Sequence, residues 1–283
     1  MKRTLTGFDA FAKMISVELP EKTKTYTPIS HMHIVDRVRS EIRNAGFSIV
    51  AESFKCSQDG MVALGSMMIN YKSDPELVLA ANFVNSYNKQ FAFRFSLGAV
   101  DKLSGSYMII DDKKYGSYKR VHKGAADLLA AGKIQEIING ADDYWTGLLD
   151  SKNLFIRTFA TIDEAYGYAA TLFFKTGILN TMQMNTIKTL FKSYLDEKKE
   201  EYISLYDFHN IIGQSLQDAH PSEWLDHQIK LHSYLLDITK PDAENLDEVF
   251  DETEEEVKDD TYRLPSKEEW EEACNINVTD ELP

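Results

Sequence analysis

The hydrophobic period of this chain changes twice, and the two changes constrain its fold more than any other feature. Residues 31–45 carry apolar side chains at helical spacing, between Ser30, which suits an N-cap, and Gly46, which suits a left-handed C-terminal position. Residues 47–111 show strand-like alternation instead. From Gly124 onward the spacing is helical again. The order predicts an α+β protein with a helical C-terminal half.

The middle region divides into about five strands. Asp59-Gly60 separates the first two and is a strong hairpin signal. Short connections of this kind predict an antiparallel meander with helices on one face of the sheet. The predicted strands are 47–56, 61–71, 76–84, 90–98 and 106–111.

The helical half has clear start signals. Thr161 and Glu164 have the spacing of a capping box. A long helix is predicted from Thr181, another begins at Ser204, and Pro221 suits the first turn of the last helix.

The net charge of −14 is concentrated at the C-terminal end of the chain. Residues 242–283 contain 17 acidic and 3 basic residues, whereas the rest contains 28 of each. The acidic segment has few aliphatic residues, so we expect a mostly disordered tail. The remainder, residues 1–241, is predicted to be one globular body, in which 28–123 form a helix and the sheet and 124–240 are mainly helical.

Cellular location follows from what the sequence lacks. Cys56 and Cys274 are too far apart in sequence to suggest a disulfide framework or a metal motif. The first residues include no apolar run of signal-peptide length, and no apolar run reaches the roughly 20 residues of a membrane span. The sequence predicts a cytoplasmic protein, in a host cell if a phage encodes it, with no membrane contact.

Catalytic and metal signatures are weak. His31 and His33 are two residues apart in a predicted helix, so they point to different faces, and we interpret them as polar residues of a helix start. The sequence has no nucleophile elbow, phosphate-binding glycine loop or paired-carboxylate motif. We therefore expect no catalytic residue, metal or cofactor, and the sequence favours a binding protein over an enzyme.

The strongest chemical signal is a basic window from Lys89 to Lys123. It holds eight basic residues against three aspartates, and tyrosines lie between the charges. Lysines that pair with phosphates beside rings that stack on bases are typical of single-stranded nucleic-acid binding. The plainer alternative is a solvated face that protects a sheet edge. The candidate binding residues are Lys89, Arg94, Lys113, Lys114, Tyr115, Tyr118, Lys119, Arg120 and Lys123.

The stretch "NSYNKQFAFRFSLGA" places a polar segment before an alternating strand. Phe91, Phe93, Phe95 and Leu97 are expected to bury against the helices. Arg94 should then point to the opposite, wetter face. In the segment 85–89, asparagines that simply build a turn are the alternative to a functional role.

Several segments resemble a phage and plasmid protein family, the domain of unknown function numbered 932. They are "TPISHMHIVDRVRSEIRNAGFSIV", "QDGMVALGSMMI", "NSYNKQFAFRFSLGA", "YKRVHKG" and "SLYDFHNIIGQSL", which together span roughly residues 28–235. The resemblance implies a mobile-element origin and no settled activity. It marks four polar positions, Asn85, Ser86, His122 and Asn210. One departure is Asp101-Lys102-Leu103-Ser104, where the family often has a cysteine-asparagine pair.

These observations lead to two functional hypotheses. The first is a phage-type protein that binds nucleic acid, most simply single-stranded DNA, in replication or recombination, with the acidic tail competing for the basic face or recruiting proteins. The alternative is a phage protein that acts by protein contacts, such as a host-defence antagonist or a virion-associated factor. In the tail, Ser266 and Glu269 have capping-box spacing ahead of Trp270, a candidate anchor for a protein partner or for the body. A homo-oligomer is left open.

Overall fold

The structure is a computed structural model that describes residues 4–111, 117–124 and 126–240. Its first half contains β1 (Thr4–Thr6), α1 (Gly7–Ser16), α2 (His31–Asn44), β2 (Ser48–Ser57), β3 (Val62–Asn70), β4 (Leu77–Ser86), β5 (Phe93–Asp101), β6 (Tyr107–Met108) and β7 (Ser117–Arg120). Its second half contains α3 (Ala126–Asn139), α4 (Ala141–Arg157), β8 (Phe159–Thr161), α5 (Ile162–Phe174), α6 (Thr181–Lys198), β9 (Tyr202–Ser204), α7 (Leu205–Ser215), a 3-10 turn (Leu216–Asp218) and α8 (Pro221–Ile238).

The main sheet is antiparallel, which confirms the predicted α+β class. Seven strands take part, in the order β1-β2-β3-β4-β5-β6, and β7 also pairs with β5. The five predicted strands correspond to β2–β6, and the sheet gains β1 at one edge and β7 at the other. Gly60 has a φ of +72° in the β2–β3 turn, as the hairpin signal predicted.

One face of the sheet supports the larger core. Phe93, Phe95 and Leu97 of β5 are fully buried there, in the same apolar cluster as residues of α2, α3 and α4. Phe91 differs from the prediction because β5 begins only at Phe93, and its side chain packs with the core of the other face.

The second face is also covered, contrary to the expectation of helices on one face only. Val62, Leu64 and Val84 lie there and share a smaller apolar cluster with Trp224 and Leu225 of α8. Alternation along each strand separates the two clusters. The sheet is therefore packed on both faces, and α8 shields the face that was expected to be wetter.

Local signals placed the helix starts well. The Ser30 hydroxyl accepts from the backbone N–H of His33 at 3.3 Å. Thr161 and Glu164 form the predicted capping box at the start of α5. Ser204 caps α7, and Pro221 is the first residue of α8.

Residues up to Lys240 form one compact unit. The acidic segment 242–283 lies outside the described residues, so its disorder and the boundary at 241 stay predictions. In the part of the chain that the structure describes, no helix is long and apolar enough to cross a membrane.

Candidate nucleic-acid interface

The described candidate binding residues of the basic window lie at one end and one edge of the main sheet, whereas Lys102 lies at the other end of β5. Antiparallel pairing places Arg120 beside Phe93 and Lys119 beside Arg94, where β5 begins. Lys89 lies in the turn before β5, and Lys123 follows β7. Residues distant in sequence therefore meet at the same sheet end.

The charges of β7 divide between the two faces of the sheet. Lys119 shares the second face with Arg94, whereas Tyr118 and Arg120 share the first face with Phe95 and Phe93. The candidate interface consequently comprises the edge and the end of the sheet, since these side chains do not form one flat surface.

Arg94 is tied to α8. Its guanidinium forms a salt bridge with the Asp226 carboxylate, and its side chain is only 18% exposed. Burial lowers the pKa of Arg94. It does point away from Phe93 and Phe95, as predicted, but the face that it reaches is covered by a helix. In this conformation its charge already has a partner.

Tyr118 packs inward. Its ring lies 6.3 Å from that of Phe93, edge to face, and burial raises the pKa of its hydroxyl. A half-buried ring of this kind offers little surface for stacking on a base. Lys119 and Lys123 are exposed, whereas the Nε atom of Arg120 is buried without a partner among the described residues.

The polar segment 85–89 builds a tight turn around Ser86. The Ser86 hydroxyl donates to the carbonyl oxygen of Phe91 at 2.8 Å and accepts from its backbone N–H at 3.3 Å. Lys89 has a φ of +64°, the left-handed region, and its ammonium lies 4.9 Å from the centre of the Tyr26 ring. The turn thus presents Lys89 outward over an aromatic ring.

Asn85 fixes a buried histidine. Its side-chain nitrogen donates to the carbonyl oxygen of Ile29 at 2.8 Å and lies 2.9 Å from Nδ1 of His31. The bond to Ile29 sets the amide orientation, so Nδ1 accepts and the neutral ring carries its proton on Nε2. The ring also stacks on Tyr87, with centroids 3.8 Å apart. Burial lowers the pKa of His31 to about 3.

His122 lies close to this group. It is buried, its carbonyl oxygen accepts from the backbone N–H of Thr27 at 2.9 Å, and its ring lies 5.6 Å from that of Tyr26. Neither ring nitrogen has a hydrogen-bond partner among the described residues, and burial lowers the pKa of the ring. His122 therefore joins the loop between β7 and α3 to residues 26–27.

Sequence reasoning missed the role of His31. It interpreted this residue as a polar helix start, but the ring is fully buried and links α2 to the end of β4. Its partners Asn85 and Tyr87 are more than 50 residues away in sequence, so no local pattern signals the contact. Within the described ranges, no three His, Cys, Asp or Glu side chains are grouped to hold a metal ion.

Asn210 belongs to the opposite end of the sheet. Its side-chain oxygen accepts from the Ser106 hydroxyl at 2.5 Å, next to the Tyr206 hydroxyl, which donates to Asp101 at 2.7 Å. Asp101 is the last residue of β5, whereas Arg94 and its neighbour Lys119 lie near the first residue of that strand. Asn210 is therefore not part of the candidate interface. Four other predicted residues, Lys113, Lys114, Tyr115 and Trp270, lie outside the described residues.

Comparison with known proteins gave no match to a protein family, a curated protein or a solved structure. The resemblance to the domain of unknown function numbered 932 stays a prediction.

Proposed function

We propose that this protein binds nucleic acid, preferentially single-stranded DNA, along the end and edge of its sheet, in replication or recombination. One observation carries the proposal. Lys89, Lys119 and Lys123 are exposed at the same sheet end, and none of them forms an ion pair with another described residue. Lysines without an ion pair contribute most to the free energy of binding a phosphate backbone, because their binding releases the counterions condensed on the nucleic acid.

The geometry supports phosphate contacts more than base stacking. Tyr26 and Tyr87 are buried and Tyr118 is half-buried, so these rings support the surface from below. Binding through lysines at an edge predicts affinity that depends strongly on salt and weakly on sequence.

The test replaces the three lysines together, as Lys89→Ala, Lys119→Ala and Lys123→Ala. Fluorescence anisotropy with an oligothymidine of about 20 nucleotides measures affinity across about 50 to 200 mM salt. Each lost phosphate contact removes about 0.7 from the slope of log affinity against log salt, so the slope should fall by roughly 2.

A matched control removes the same charge elsewhere. Lys188, Lys192 and Lys198 are exposed on α6, and their replacement by alanine should leave affinity and slope nearly unchanged. No binding of single-stranded DNA or RNA at low salt, or equal losses in both triple variants, would contradict the proposal and favour action through protein contacts.

A further inference from the structure

A cavity of about 770 Å³ lies over the second face of the sheet, at the β1–β2 edge. Thr4 and Thr6 pair with Ser57 and Lys55, so their side chains and that of Lys55 share the face that bounds the cavity. The first turns of α6 and α8 and the 3-10 turn form its walls. Its size is that of an ordinary small-molecule site.

Lys55 forms no salt bridge with another described residue in this cavity. Its ammonium donates to the carbonyl oxygen of Gln217, and no carboxylate of the described residues lies within 4.0 Å of it. Burial lowers the pKa of Lys55, and the Asp218 carboxylate only partly opposes that effect. A half-buried ammonium with one carbonyl partner retains two N–H groups for an anion.

The cavity is also lined by a histidine, two helix N-termini and two carboxylates. His227 lines it, and the buried Nδ1 atom of its ring has no hydrogen-bond partner within the described ranges. The 18-residue helices α6 and α8 both begin here, so the positive ends of their dipoles add to the Lys55 charge. Asp218 and Glu223 also line the cavity, and both residues are exposed.

We propose that the cavity binds a phosphate monoester of nucleotide size, with the phosphate beside Lys55 and hydrogen-bond donors of the ligand facing Asp218 and Glu223. The inference is independent of the proposed nucleic-acid function, because none of the three sheet-end lysines lines the cavity. Two kinds of ligand carry such a phosphate monoester: a free nucleotide and the 5′-phosphorylated end of a nucleic-acid strand.

The test measures binding of adenosine monophosphate and inorganic phosphate by calorimetry. Lys55→Gln removes the charge but keeps an N–H for the Gln217 carbonyl, so the fold should persist. Loss of a charge-assisted hydrogen bond should weaken adenosine monophosphate binding by about ten- to a hundred-fold. Lys188→Gln, an exposed site on α6 outside the cavity, is the matched control and should bind as the wild type does.

Thr6→Glu is a second variant that does not remove Lys55. Thr6 is exposed and pairs with Lys55, so the new carboxylate should neutralise the ammonium and abolish phosphate binding without unfolding the protein. Absence of binding to wild type at about 10 mM ligand would overturn the proposal. So would wild-type affinity in both Lys55→Gln and Thr6→Glu.

Two oligonucleotides separate the sources. If the wild type prefers a 5′-phosphorylated strand over a 5′-hydroxyl strand, the ligand is a strand end. This preference should be lost in Lys55→Gln but kept when the three sheet-end lysines are replaced. Equal binding of both strands, with adenosine monophosphate still bound through Lys55, identifies a free small molecule.

Discussion

At the scale of single residues, four histidines are buried, namely His31, His122, His209 and His232, and burial lowers the pKa of each. His31 stacks on Tyr87, whereas His209 and His232 lie with ring centroids 6.2 Å apart in the helical half. Burial lowers the pKa of His31 and His232 to about 3 and that of His209 to about 4. All three rings are therefore neutral in the folded protein at neutral pH.

This burial predicts an acid-sensitive fold. An unfolded histidine takes up its proton near pH 6.5, so the free energy of unfolding should fall as the pH drops from 6.5 toward the folded pKa values of 3 to 4. The rings of His31, His209 and His232 each contribute roughly 1.4 kcal/mol between about pH 7.5 and pH 5.5, or about 4 kcal/mol together. His122 and His227, whose pKa values burial also lowers, add to the loss in the same direction. Urea denaturation at the two pH values measures the loss.

Single variants assign the effect to these rings. His232→Phe keeps a ring beside Phe155 and should reduce the pH-dependent loss by roughly 1.4 kcal/mol. His33 is exposed, and His33→Gln should leave the loss unchanged. A His232→Phe variant with the full wild-type pH dependence would show that this histidine does not contribute.

At the scale of elements, α8 decides the character of the sheet. Its Trp224 is 1% exposed and meets Tyr107 edge to face, with ring centroids 4.7 Å apart. Its Asp226 pairs with Arg94 of β5. Because α8 packs there, the sheet face that was expected to be exposed to solvent forms a second apolar core. The helix also pairs with Arg94, which the sequence analysis listed as a nucleic-acid-binding residue.

Truncating Trp224 should therefore lower the free energy of unfolding as much as truncating a central core residue does. Trp224→Ala is expected to lower the free energy of unfolding by about 3 to 5 kcal/mol, because it leaves a cavity between α8 and the sheet. Lys230→Ala, at an exposed position of the same helix, should stay within about 0.5 kcal/mol. A loss below about 1 kcal/mol for Trp224→Ala would mean that α8 packs only loosely on the sheet.

At the scale of the whole molecule, charge is divided between two parts of the chain. Residues 1–241 are neutral overall, and the segment 242–283 carries the entire net charge of −14. A segment of that charge repels a polyanion at low ionic strength, wherever on the body the polyanion binds.

Deleting residues 242–283 should leave the thermal midpoint of the body nearly unchanged and bring its net charge to about zero. Affinity for single-stranded DNA should rise at low salt, and the gain should disappear near 1 M salt, where the Debye length is about 3 Å. A truncated protein that fails to fold would show that the segment contributes to the core and that the boundary at 241 is wrong.

Features that depend on neighbouring residues were determined by the sequence itself. The first three predicted strands, the Asp59-Gly60 turn and the capping box at Thr161 all appear where they were predicted. Their causes are local, since a cap joins residues three apart and a hairpin turn joins strands that follow one another.

Features that join distant segments were decided only by the tertiary structure. The Arg94–Asp226 pair spans 132 residues, the cavity beside Lys55 is enclosed by the starts of two helices far along the chain, and Asn85 reaches back 54 residues to His31. The periodicity of a strand shows that it has two faces but not what packs on each of them. That choice depends on how much apolar surface each helix buries once the whole chain is assembled, and no short stretch of sequence contains that information.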